Sequence, residues 1–86
     1  MPAQTITQVE AFMGIKAAMA AAGFDLSLLT PETRIGTDLP IDSLEMVEIV
    51  LDLEHRFGVP LDDREVRRCA TLRDLTDLVL NAQMGQ

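Results

Sequence analysis

The sequence predicts an all-α domain of four helices, with a long irregular loop after the first and a short third helix. Three observations lead there. Apolar residues recur at three- and four-residue steps along the first, second and last of these stretches. Each stretch is preceded by Thr or Asp with Glu, Gln or Asp three residues on, the pattern by which a helix start satisfies its free N–H groups. Gly23 and Gly58 stand where two of the helices would stop.

Eighty-six residues, 48% of them apolar, suffice for one core and one domain spanning 1–86, ordered from about 5 to 82. Residues 1–4 are expected to fray. The first helix could begin at Thr5, with Gln8 as partner, or at Thr7, with Glu10, and the sequence does not choose. Ile6, Val9, Phe12, Met13 and Ala20 form its expected core stripe. The run from Ala17 to Ala22, broken only by Met19, favours helix and allows a neighbour to approach closely. From Phe24 to Pro40 the periodicity weakens. Leu28, Leu29, Ile35 and Leu39 would pin this loop over the core, and Thr30-Pro31-Glu32-Thr33 could form a single helical turn with Pro31 at its first position.

The second helix starts with Asp42 as cap and Glu45 as its reciprocal partner, with Ile41 and Met46 placed to form a hydrophobic staple. Ser43 is then the first helical residue. Because Asp42 does the capping, the Ser43 hydroxyl has no structural task, and it lies where the helix dipole and free N–H groups favour an anion such as a phosphate ester. Met46, Ile49, Val50, Leu53 and Phe57 form the inward stripe. Leu44, Val47 and Leu51 fall elsewhere, among Glu45, Glu48 and Asp52. Between Asp38 and Glu54 there are six acidic residues and no basic one. That face suits a basic, partly apolar partner groove, unless the long loop covers the three apolar residues as a second buried stripe.

After Gly58, Val59-Pro60-Leu61 should be extended, since proline disfavours helix in the residue before it. Asp62 with Glu65 opens the short third helix, with Val66 and Cys69 facing inward. Thr71 with Asp74 opens the fourth, whose buried stripe is Leu72, Leu75, Leu78 and Val79, with fraying expected from Asn81 or Ala82. Four of the six arginines, Arg64, Arg67, Arg68 and Arg73, lie in this segment, so an acidic second helix is followed by a basic third.

Composition excludes several functions. A net charge of −7 and a pI near 4.4 oppose binding to nucleic acid or to anionic membrane surfaces. Three phenylalanines are the only aromatic residues, too few for base-stacking platforms. One cysteine forms no internal disulfide and fits a reducing compartment. No apolar run approaches membrane-spanning length and the amino terminus lacks the features of a signal peptide, so a soluble, cytoplasmic monomer is expected.

Catalytic constellations fail in turn. The only histidine, His55, lies twelve residues beyond Ser43. On one helix that is about 18 Å, too far to serve as the serine's base. One Cys and one His cannot make an ordinary zinc site. The Asp38 to Ile49 stretch fails as a calcium loop, with Pro40, Ser43 and Ile49 at positions that need a ligand, a glycine and a bidentate glutamate. Cys69 reads as a small core residue and His55 as an exposed side chain. No catalytic residue and no metal ligand is assigned.

One series of residues is more specific: Asp38-Leu39, then Asp42-Ser43-Leu44, the Val47 to Val50 run, Phe57, the acidic start of the third helix, and Thr71 opening the fourth. In this series, from about Ile6 to Ala82, the chain resembles the acyl carrier proteins of the phosphopantetheine-attachment family, which also includes peptidyl, aryl and D-alanyl carriers. The resemblance implies a four-helix bundle of acyl-carrier type, with Ser43 bearing 4′-phosphopantetheine from coenzyme A through a phosphodiester and Asp42 beside it in the cofactor site. It further implies loading by a basic phosphopantetheinyl transferase and docking of acyl-loading and acyl-using biosynthetic enzymes on Leu44, Glu45, Val47, Glu48 and Leu51. A short acyl chain would be sheltered between the second and third helices near Val50, Leu53, Val66 and Cys69. Two departures bear on which partners bind: Pro40 and Ile41 replace the family's usual glycine and small residue, and Arg67 and Arg68 make the third helix more basic. The expected function is therefore a non-catalytic carrier of thioester-linked acyl or aminoacyl groups in fatty-acid, polyketide or related biosynthesis. The competing reading is an unmodified helical interaction domain using the acidic face of the second helix; a regulatory subunit of a larger complex is a third.

Overall fold

The computed structural model describes residues 6–84, in the order α1 (Gln8–Ala21), a 3-10 turn (Leu26–Leu28), α2 (Ser43–Phe57), α3 (Asp63–Arg68) and α4 (Leu72–Met84). The first helix uses the second of its two candidate caps. The Thr7 hydroxyl accepts from the Glu10 N–H at 3.1 Å, and Glu10 Oε1 accepts from the Thr7 N–H at 2.8 Å. The alternative cap, Thr5, and residues 1–4 lie outside the described residues.

The buried face of α1 differs from the expected stripe. Ala11, Ile15, Ala18 and Met19 are buried, Phe12 is partly so, and Val9, Met13 and Ala20 are exposed. Apolar residues surround this helix, so their spacing selects no side. Small residues select it: Ala11 and Ala18 let α4 and α2 close in, and Gly14 faces the Phe57 ring so closely that a Cβ there would overlap it. Ile15 and Met19 then fill the core with Ile49, Leu53, Leu72, Leu75 and Val79. Gly23, with φ +100, takes the chain out of the helix where an L side chain would be strained.

The long connection is ordered by α4. The first N–H groups of a helix have no partner within it. Here the Leu72 N–H donates to the Thr33 carbonyl at 3.0 Å and the Arg73 N–H to the Pro31 carbonyl at 2.8 Å, while the Ile35 N–H donates to the Ala70 carbonyl at 2.9 Å. Leu29 and Leu39 are buried as expected and Ile35 packs against the core, but Leu28 points outward. The expected helical turn at Thr30 to Thr33 is instead a β-turn, closed by the Thr33 N–H on the Thr30 carbonyl. The helical turn in this loop lies earlier, where Asp25 Oδ1 accepts from the Ser27 N–H at 2.9 Å and starts the Leu26–Leu28 turn.

α4 begins as expected, with the Thr71 hydroxyl accepting from the Asp74 N–H at 3.2 Å and Asp74 Oδ2 accepting from the Thr71 and Ala70 N–H groups. Its stripe of Leu72, Leu75 and Val79 is buried, with Leu78 at the margin. The helix continues beyond the expected fraying point to Met84, because Gln83 Nε2 donates to the Phe57 carbonyl at 3.1 Å and ties the end of α4 to the end of α2. α3 packs on α4 and stands off from α2. The result is an all-α bundle with its core on the α1–α4 side and open space on the α2–α3 side. No described helix is long and apolar enough to cross a membrane.

Candidate functional site

The loop that α4 holds delivers the chain to the start of α2. Asp38 Oδ2 accepts from the Arg34 N–H at 2.9 Å, and the Leu39 N–H donates to the Arg34 carbonyl at 3.0 Å, closing a tight loop over the buried Leu39 side chain. Asp42 then caps α2: its Oδ1 accepts from the Glu45 N–H at 2.7 Å, and Glu45 Oε1 accepts from the Asp42 N–H at 3.1 Å. Ile41 and Met46, the expected staple, both pack against the core. The cap thus runs between Asp42 and Glu45 and leaves the Ser43 hydroxyl outside it. Ser43 is exposed as the first residue of α2.

Behind Ser43 the body of α2 is fixed at both ends and along one side. Ile49 and Leu53 are buried, and Met46, Val50 and Phe57 are partly buried. Gly58, with φ +67, closes the far end, its N–H donating to the Glu54 carbonyl at 2.9 Å. Three further apolar residues of α2, Leu44, Val47 and Leu51, are 69%, 51% and 59% exposed. The long loop does not cover them, so they are surplus to the core.

The acidic face is less free than its composition suggests. Five of its six carboxylates have partners: Asp38, Asp42 and Glu45 in the loop and cap, Asp52 with Arg56 at 2.8 Å, and Glu54 accepting from the Leu61 N–H at 2.7 Å. Glu48, exposed between Val47 and Leu51, has no such partner among the described residues.

Beside Ser43 a cleft of about 420 Å³ opens between α2 and α3. Its walls are mainly apolar, from Ile35, Ile41, Met46, Val50 and Val66, with the exposed Val47 and Leu51 at its α2 rim and Cys69 at the side. Val50, Val66 and Cys69 were expected there. Leu53 was too, but it is fully buried beneath the cleft and does not line it. Asp63 and Arg67, paired at 2.7 Å, also line it and were not assigned to it from the sequence; their i,i+4 spacing signalled an ion pair, but not where α3 would lie. Burial pushes the Cys69 thiol up to about 11, with Asp74, Glu65 and Asp77 adding to the shift, so it is almost entirely protonated near neutrality. Among the described residues no group of three or more His, Cys, Asp or Glu side chains could hold a metal ion.

A helical domain that holds an exposed serine at the start of a capped helix, next to an apolar cleft, has the form of a carrier domain. The family model for the phosphopantetheine attachment site matches residues 14–79. An acyl carrier protein of Acidothermus cellulolyticus is 43% identical over 64 residues, covering 74% of this chain and 76% of that one. Acyl carrier proteins of Rubrobacter xylanophilus and Thermotoga maritima are 38% and 37% identical, over 71% and 66% of this chain and 75% and 70% of their own lengths. The chain belongs to the phosphopantetheine-attachment family, among the acyl carrier proteins. Its role is that of a carrier, and its cofactor is a covalently attached 4′-phosphopantetheine. The residues present fit that group: a free hydroxyl at a helix start, and apolar space beside it.

Proposed function

We propose that Ser43 is the attachment point and that the chain presents acyl or aminoacyl thioesters to enzymes of fatty-acid, polyketide or related biosynthesis. The supporting observation is the Ser43 hydroxyl, exposed outside its own helix cap and bordering the cleft. When bound, 4′-phosphopantetheine supplies a terminal thiol that holds cargo as a thioester. The chain's own residues have simpler tasks. The α2 N-terminus favours the phosphodiester through its dipole and free N–H groups. Asp42 and Glu45 hold Ser43 at a fixed place. Val50, Val66 and their neighbours offer cargo an apolar shelter. Tethering raises the concentration of cargo at a partner's active site without any catalytic group on the carrier.

Leu44, Val47, Glu48 and Leu51 are the docking face in this reading, with Glu45 contributing charge while serving the cap. They suit the basic, partly apolar surface of a phosphopantetheinyl transferase and of acyl-loading and acyl-using enzymes. Intact mass after incubation with coenzyme A and a transferase tests the attachment. One phosphopantetheinyl group is expected on the wild type and none on Ser43→Ala. A wild type left unmodified by several transferases would instead favour an interaction domain working through α2 alone.

A further inference from the structure

The cleft beside Ser43 is mostly hydrocarbon, and its charged lining consists of Asp42 at the α2 cap and the Asp63–Arg67 pair of α3. Arg67 is the one cation among these lining residues. Its partner does not hold it firmly. The two side chains are 77% and 71% exposed, four residues apart on a six-residue helix, and ion pairs in such settings contribute little and exchange readily. The surroundings also make a cation there conspicuous, because the chain has a net charge of −7 and five of the six carboxylates from Asp38 to Glu54 are already engaged within the fold.

An oxyanion carried into this cleft, beyond the reach of the α2 N-terminus, would meet the Asp42 and Asp63 carboxylates, and Arg67 is the only charged side chain lining it that could attract it. A guanidinium offers planar, paired donors that match a phosphate or carboxylate better than a surface ion pair does. We propose that Arg67 is the anion receptor of the cleft. It exchanges Asp63 for an oxyanion borne on Ser43 and so positions the arm or its cargo along the apolar wall formed by Val50 and Val66. This rests on Ser43 being the attachment point. The oxyanion has two possible sources, the phosphodiester at the root of the arm or a carboxylate at the far end of the cargo, and both present the same chemistry to Arg67.

The test follows the Arg67 Nε–H signal by NMR in 15N-labelled protein. Four species are compared: unmodified, carrying the arm alone, and carrying the arm loaded from glutaryl- or valeryl-coenzyme A, whose acyl chains match in carbon count and differ in the terminal carboxylate. A downfield shift on adding the arm alone assigns the phosphodiester as ligand. A shift with glutaryl but not valeryl cargo assigns the carboxylate. Arg67→Gln should remove the accompanying shifts of the Val50 and Val66 methyl groups, and Arg67→Lys should retain part of them, while far-UV circular dichroism stays unchanged. If intact mass confirms loading and the Arg67 signal moves in no species, or equally with glutaryl and valeryl but not with the arm alone, the receptor role is overturned and the attachment stands. If no species gains mass, the attachment reading fails and the receptor role with it.

Discussion

The two sides of this bundle are built on opposite terms. Between α1 and α4 the helices are in close contact, and Ile15, Met19, Leu75 and Val79 are fully buried. Between α2 and α3 the helices stand apart, and the gap is a cleft with Ser43 at its border. α2 belongs to both sides. Its inner residues Ile49 and Leu53 close the core, while Leu44, Val47 and Leu51 stay in water. Stability is concentrated on one side, which leaves the other free to carry chemistry whose demands differ from those of packing.

The largest test of this contrast is a pair of truncations on α2. Leu53→Ala, at a fully buried site, should cost about 2–5 kcal/mol in urea unfolding. Leu51→Ala, one helical face away, should stay within about 0.5 kcal/mol yet slow loading by a transferase. Equal losses of stability would mean that the outer residues belong to the core. Next comes Cys69, on the open side. With its thiol raised from 9.0 to about 11, alkylation by iodoacetamide near pH 8 should be slower than that of an unperturbed thiol, because a thiolate fraction about 100-fold smaller is only partly offset by the greater nucleophilicity of a more basic thiolate. That would leave the arm's own thiol as the reactive one. Alkylation as rapid as that of an unperturbed thiol would contradict the burial assigned to Cys69.

A smaller effect is expected from charge. Glu48→Lys should lower the loading rate about tenfold with little change in melting temperature, whereas Val9→Lys on the exposed side of α1 should leave the rate unaltered. The smallest effect concerns the start of α4. Hydrogen bonds from the Ala70 and Thr71 N–H groups hold the Asp74 carboxyl below its ordinary value of 3.8. Its contribution to stability is therefore complete above about pH 4 and lost as pH falls through the lowered value. The melting-temperature gap between wild type and Asp74→Asn should be constant at higher pH and shrink in acid. A gap that widened in acid would contradict the assigned bonds.

Legibility in the sequence follows the same division. α2 was readable from end to end because its determinants are local: the Asp42–Glu45 cap, the apolar Ile41 and Met46 on either side of it, the Ile49 and Leu53 spacing, and Gly58 as stop. The exposed Ser43 hydroxyl followed from that cap alone. α1 was located but its buried face was not, because apolar residues on every side leave spacing without a preferred direction. Gly14 held the missing information: a glycine within a helix costs stability unless something packs against it, and Phe57 does. In the loop, Leu29 and Leu39 were legible as apolar anchors, but the turn at Thr30 to Thr33 was not. The turn closes on its own Thr30 and Thr33 bonds, but it is also held by donors of α4 some forty residues further on, which local pattern does not contain. Arg67 was legible only as part of a basic third helix for a similar reason, since only the placement of α3 brings it to the cleft.

The central claim is that one hydroxyl, left out of its own helix cap, bears the arm. Protease digestion of protein loaded from coenzyme A, followed by tandem mass spectrometry of the peptides that together span Ala17 to Arg56, tests it most directly. The account predicts one phosphopantetheinyl group located on Ser43. The same group found on another residue, such as Ser27 or a threonine of the long loop, would contradict it.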